Sequence, residues 1–259
     1  MSGESWLWDD TQWVPADGVP LTDRGFRHGM SAFATMRIYR GQPVFLERHL
    51  EKLRLTCTRL GLRLPPDVLF PFEFHGNDGM ARFVVTAGDG DFLSPLNEGR
   101  IFLTFQGIGN SHAPQNLVFA ESTHTPLFSG MKTGNYWPHI AAYRDAQTRK
   151  ADETILVNSA NHVISASLAN VFAVIDNTLM TPRVSSGARP GVMRDWVLEQ
   201  EEVIVSDFHP EQLREASEIF LTNSRYGIAP IEMLEGKPCR DKSLGQKLQS
   251  QYTSWLHAS

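Results

Sequence analysis

Between Gly41 and Leu64 the chain reads GQPVFLERHLEKLRLTCTRLGLRL, a short apolar run followed by Leu50, Leu53 and Cys57 at helical spacing with charges between them. That pattern predicts a strand and then an amphipathic helix, stopped by Gly61 and the prolines at 65 and 66. The runs MARFVVTAGDG and GRIFLTFQG are apolar, β-branched and aromatic with turn residues between them, and predict neighbouring strands of one sheet. A first α+β unit is therefore expected over residues 1–106. Residues 107–114 are rich in Gly, Asn, Ser and Pro without periodicity and predict a connection. From 115 to 259 the pattern is β-rich. LVFAES predicts a strand, WPHIAAYRDAQTRK a helix, ETILVNSANHVISASLANVFAVIDNTLMTP strands alternating with Asn-rich turns, and EIFLTNS a further strand. GVMRDWVLEQEE predicts a helix whose start, Gly191 after Pro190, leaves bare backbone N–H groups where an anion is stabilised.

Composition narrows the chemistry. With 259 residues, 41% of them hydrophobic, the chain can bury one large core or two modest ones. A formal charge of −5 and an isoelectric point near 6.0, with no basic run and no aromatic residues threaded through a Lys/Arg stripe, exclude a nucleic-acid footprint. Cys57 and Cys239 are isolated, which argues against a disulfide framework and a cysteine-based zinc site and fits a reducing cytoplasm. The start has no signal-peptide pattern, and no apolar run is long enough to cross a bilayer, so a cytoplasmic protein acting on small molecules without membrane contact is expected.

G-x-S-x-G, H-E-x-x-H, Walker A and G-x-G-x-x-G patterns are absent from the sequence. His28, His49 and His162 read as hydrogen-bonded structural groups, and no metal is expected. Lys132 alone would be a solvated cation. In company with DRGFRHGMSAFATMR, FLERHLEKL, MKTGNY, ADETILVNSANHVISASLANVFAV, LMTP, RPGVMR and EIFLTNSRYGIAPI, however, it resembles in order and spacing the pyridoxal-phosphate enzymes of fold type IV. That family, the class IV aminotransferases, includes branched-chain aminotransferases, D-amino-acid aminotransferase and aminodeoxychorismate lyase. The resemblance implies an α+β fold with a small N-terminal α/β sandwich domain, a larger β-rich pseudo-barrel domain and pyridoxal 5'-phosphate between them. It also implies a homodimer in which the segment from Arg24 to Thr35 helps line the neighbour's pocket.

Roles carry over residue by residue. Lys132 matches the Schiff-base lysine, which must be unprotonated to react and also moves the proton. Tyr136 matches the tyrosine that hydrogen-bonds the cofactor's ring hydroxyl. Val192 and Met193 match the amides of the phosphate cup, and Ser224 the hydroxyl that completes it. Lys52 stands at the phosphate arginine of H-x-x-R-L, keeping the charge but losing the bidentate fork. Ser165 stands where the family carries the glutamate that pairs with the protonated ring nitrogen; a hydroxyl supplies no charge, so the cofactor is expected to be a poorer electron sink. Arg189 replaces an apolar residue against the ring face and either steers a substrate carboxylate or marks a site that no longer works. Asn170 and Phe172 also match, and read as turn and core residues. VVTAGDG has no arginine after its threonine, which argues against a D-amino-acid aminotransferase.

Transamination leans heavily on the electron sink, whereas the lyase reaction expels pyruvate from aminodeoxychorismate as the ring becomes aromatic 4-aminobenzoate. Ser165 is more tolerable there. Thr35 in FATMR matches a lyase threonine beside the lysine, and GVMR resembles the lyase form. KTGNY resembles the branched-chain aminotransferase form. The expected function is thus an aminodeoxychorismate-lyase-like enzyme, with an aminotransferase on branched-chain or related amino acids as the alternative. A catalytically impaired homologue acting as a binding scaffold is the third reading.

Overall fold

The computed structural model describes residues 4–65, 68, 78–96, 99–109, 113–124 and 130–258. Of the sequence expectations, Pro66 in the helix stop and residues 110–112 in the connection lie outside the described residues. The chain divides into two compact units, Met1–Ser111 with Met131–Asn135, and His112–Gly130 with Tyr136–Ser259.

The first unit contains β1 (Glu4–Trp8), β2 (Trp13–Pro15), α1 (Arg24–His28), β3 (Ser31–Tyr39), β4 (Gln42–Pro43), α2 (Leu46–Leu60), β5 (Gly79–Thr86) and β6 (Ile101–Gly107). Its strands form one antiparallel sheet in the order β2-β1-β6-β5-β3-β4. Alternation sorts the two faces. Ala32, Ala34, Met36 and Ile38 of β3, Ala81, Phe83 and Val85 of β5, and Leu103 of β6 meet Leu50, Leu53 and Cys57 of α2 in a common core. Burying each of the larger side chains contributes roughly 1.5–3 kcal/mol. Helix α2 ends as expected at Gly61, whose φ of 70° suits a residue without a Cβ.

Helix α1 starts where the Asp23 carboxylate accepts the Gly25 N–H at 2.7 Å. The Arg24 side chain is fully buried, donating to the carbonyls of Ala87, Gly88, Asp91, Ser94 and Pro95. Its role is therefore an internal clasp, and it cannot line a neighbour's pocket. Within the segment expected to do so, Phe26, Arg27 and His28 are exposed. Residues Met131–Asn135 run beside β3, the Phe33 N–H donating to the Lys132 carbonyl at 3.0 Å and the Gly134 N–H to the Ser31 carbonyl at 2.9 Å.

The second unit contains β7 (Asn116–Phe119), α3 (Trp137–Thr148), β8 (Glu153–Val157), β9 (Val163–Ala166), β10 (Asn170–Ile175), β11 (Thr178–Thr181), α4 (Val192–Gln200), β12 (Ile204–Val205), α5 (Pro210–Glu215), β13 (Glu218–Asn223), β14 (Gly227–Pro230), β15 (Met233–Leu234), β16 (Lys237–Pro238) and α6 (Ser243–Ala258). Two five-stranded sheets, β12-β11-β10-β13-β14 and β16-β15-β7-β8-β9, share a core that includes Leu117, Ile155, Val163, Val171, Ile219 and Leu221. Phe172 is the core residue expected, stacked on Phe220 at 5.0 Å. Asn170 is not in a turn: it opens β10, only 7% exposed, opposite Thr222 of β13. Among the described residues no helix is long and apolar enough to cross a membrane.

Candidate functional site

The residues selected from the sequence fall into two groups, one in each unit. In the first unit they are Lys132, Thr35 and Lys52. Because the Lys132 carbonyl is held by the amide of Phe33, its side chain leaves the backbone beside β3, and its Nζ lies 5.5 Å from the Phe33 ring centre. Phe33 and Thr35 share the face of β3 opposite the core, since their neighbours Ala32, Ala34 and Met36 fill it. Opposite Thr35 in register is Arg82 of β5, whose guanidinium carbon sits 3.8 Å from the Phe33 ring centre. The sequence reading passed over Arg82. Its signal was an arginine at an alternating position of an otherwise apolar strand, a charge that must face away from the core.

His49 ties the two lysines together. It is 7% exposed on α2, and burial, with the charges of Lys132 and then Lys52 beside it, pushes its imidazole down to about 3. The ring is neutral at pH 7 because a third cation there would be unscreened. Two lysines beside a neutral histidine concentrate positive potential, which suits an anionic ligand. Of the other histidines singled out, His28 is exposed at the end of α1, and His162 lies 4.9 Å from the His209 ring.

In the second unit the group is Tyr136, Ser165, Arg189, Val192, Met193 and Ser224. Gly191 is the N-cap of α4 and no side chain caps the helix, so the first amides of Val192 and Met193 start a helix with no internal acceptor. A Cβ on Gly191 would lie 2.2 Å from Asn170 Oδ1. Asn170 Nδ2 in turn donates to the Arg189 carbonyl at 2.7 Å. Asn170 thus shapes the turn into α4, a role the sequence alone could not display because its partners lie 19 and 21 residues away. Directly across the sheet, the Thr222 hydroxyl is buried without a hydrogen-bond partner. Bare helix amides, a glycine that cannot carry a Cβ and an orphaned hydroxyl beside them form a cradle suited to a phosphate. Ser224 follows β13 in the loop to β14 and is half-buried.

Ser165 lies on β9, 4% exposed and opposite Leu156, and its hydroxyl makes no hydrogen bond to any described residue. Its hydroxyl is open for a ligand nitrogen. The carboxylate of this neighbourhood, Glu153, is otherwise engaged. It accepts the Thr154 N–H at 2.8 Å, the Ser167 N–H at 3.2 Å, the Leu168 N–H at 3.2 Å and the Ser167 hydroxyl. Burial pushes its carboxyl upward against the pull of those bonds. Arg189 donates to the Tyr136 hydroxyl, its guanidinium carbon 4.6 Å over the Tyr136 ring, and reaches His139 Nε2 at 2.5 Å. A cavity of about 600 Å³, lined among others by Thr123, His124, Pro138 and Asp145, has none of the sequence-selected residues in its wall.

Known proteins resemble this chain over most of its length. The amino-transferase class IV family model matches residues 31–234. An aminodeoxychorismate lyase of Vibrio harveyi is 28% identical over 242 residues, covering 84% of this chain and 88% of the lyase. A branched-chain-amino-acid aminotransferase of Salmonella typhimurium is 27% identical over 268 residues, covering 91% of this chain and 84% of that protein. Among solved structures, the branched-chain aminotransferase of Thermoproteus uzoniensis with norvaline superposes with a TM-score of 0.85 over 98% of this chain and 94% of its own, at 20% identity.

Proposed function

This chain belongs to the class IV aminotransferases, a family of enzymes with the fold-type IV architecture, and from that premise we propose that it is a pyridoxal-phosphate-dependent lyase acting on aminodeoxychorismate. The observation that carries the reading is Ser165: a buried, open hydroxyl with no acid at that position of β9. When bound, the cofactor supplies an electron sink for the carbanion left by proton removal. Without a carboxylate at its ring nitrogen that sink is weak, which suits a reaction driven by aromatisation of the substrate.

The chain's residues divide the work. Lys132 would hold the cofactor and, once released by the substrate amine, take up and return the substrate proton at Nζ. Thr35, on the Phe33 face of β3, orients that amine. The amides of Val192 and Met193, with Ser224, take the phosphate. The Tyr136 hydroxyl accepts from Arg189 and would use its own O–H to donate to the cofactor. That tyrosine favours a second reading, an aminotransferase on branched-chain or related amino acids.

Two measurements test this. Purified protein with pyridoxal phosphate should absorb in the visible and reduce with borohydride onto Lys132, while Lys132→Ala stays colourless; a band unchanged in the variant would make the protein a binding scaffold. Steady release of pyruvate and 4-aminobenzoate from aminodeoxychorismate supports the lyase, whereas amino exchange with 2-oxoglutarate and no lyase activity would replace it with the aminotransferase.

A further inference from the structure

Arg189 is a half-buried cation with no carboxylate partner among the described residues. Arg100, Arg149 and Arg214 each meet one or more acids. A guanidinium carries five N–H donors, and here one goes to the Tyr136 hydroxyl and one to His139 Nε2. The Tyr136 ring lies under its plane at 4.6 Å. These contacts hold the plane still while leaving three donors unspent, with no backbone carbonyl or side-chain oxygen of a described residue taking them.

Among the described residues no acid is within hydrogen-bond reach of this guanidinium. His139 Nε2 faces the guanidinium at 2.5 Å and is placed to accept from it. The His124 ring lies 4.5 Å from His139, and burial and then the Arg189 charge push its imidazole downward. Tyr136 is the N-cap of α3, which has no acid in its first turn and no side-chain cap, so the positive end of a 12-residue helix also points here. An unpaired charge partly withdrawn from water is costly unless a ligand supplies the counter-ion.

We propose that Arg189, oriented by Tyr136 and His139, is the subsite for a carboxylate of the substrate. This rests on the enzyme reading above and names the residue that selects carboxylate-bearing amino compounds over uncharged amines. A planar carboxylate matches the free fork of donors, whereas the cradle for phosphate is at the start of α4.

Calorimetry on the purified chain, with and without pyridoxal phosphate, tests it with 4-aminobenzoate and 4-methylvalerate against their uncharged amides. Arg189→Leu should weaken both acids roughly tenfold to a hundredfold and leave the amides unchanged. Arg189→Lys should fall between. With the loaded enzyme, Arg189→Leu should raise KM far more than it lowers kcat. Acids that bind wild type and the leucine variant equally, or that fail to bind wild type, overturn the proposal. So does a leucine variant whose loss is in inorganic phosphate affinity, since Arg189 would then serve the cofactor. A wild-type protein that takes no pyridoxal phosphate but loses acid binding in Arg189→Leu refutes the enzyme reading and sustains the subsite.

Discussion

The neutral histidine between two lysines makes the stability of the first unit depend on pH. The unfolded chain binds a proton on His49 with the ordinary value of 6.5, while in the folded protein burial and the charges of Lys132 and Lys52 hold the value down to about 3. Between those limits the unfolded state binds one proton more than the folded state, so stability rises with pH through the window and is complete above 6.5. Each unit of pH inside the window is worth about 1.4 kcal/mol. Moving from pH 7.5 to pH 5 crosses about 1.5 units of it, so His49 alone should withdraw about 2 kcal/mol. Urea unfolding of the cofactor-free protein, followed by tryptophan fluorescence, should show this loss in wild type and not in His49→Gln. Comparing each protein with itself at the two pH values cancels the packing cost of the substitution. Equal losses in both proteins, or an imidazole whose NMR shifts show protonation at pH 5, would refute the reasoning.

Gly191→Ala would drive a Cβ to 2.2 Å from Asn170 Oδ1; overpacking of this kind costs about 1–3 kcal/mol, and equilibrium dialysis should show pyridoxal phosphate bound at least roughly tenfold more weakly. Arg24→Lys leaves the buried carbonyls of Ala87, Gly88, Ser94 and Pro95 with one compact ammonium in place of a fork. It should destabilise by about 3 kcal/mol, read as a lowered thermal midpoint in calorimetry. Glu153→Gln keeps one oxygen for three donors on Oε1 and turns an NH₂ toward the Leu168 N–H; a loss of about 2 kcal/mol in urea unfolding is expected, and a neutral result would mean that the carboxyl is protonated in the native protein.

Where one face of an element is buried and the other is not, the pattern was readable: α2, β5 and β6 follow their alternation because a single core takes Leu50, Phe83 and Leu103. Elements whose determinants lie far away in sequence were not. Helix α6 buries only Gly245, Leu248, Tyr252 and Leu256. Asp241 takes its first amide, from Ser243, but the next two, from Leu244 and Gly245, are received by Glu218, 26 and 27 residues earlier. Strand β3 carries three alanines or methionines on its core face, residues with weak strand preference, and is held by eight register partners on β5. The candidate chemistry divides likewise: Lys132 and the start of α4 were legible as motifs, whereas the Arg189–Tyr136 bond joins residues 53 apart.

The two departures at Ser165 and Arg189 have a joint electrostatic effect. On the correspondence the resemblance implies, a serine in place of a glutamate removes one negative charge from the candidate residues of the second unit, and an arginine in place of an apolar residue adds one positive charge. Neither is compensated by a described neighbour, since Glu153 is committed to the Ser167 turn and Arg189 has no acid partner. A group made more positive in this way favours a substrate that brings more than one negative charge. Aminodeoxychorismate carries two carboxylates, while a branched-chain amino acid brings one and an apolar side chain that gains nothing from the added field. On the proposed roles, the substitutions that would weaken the electron sink would also favour binding of the substrate that least needs it, and in that way they support the lyase proposal more than a decayed aminotransferase.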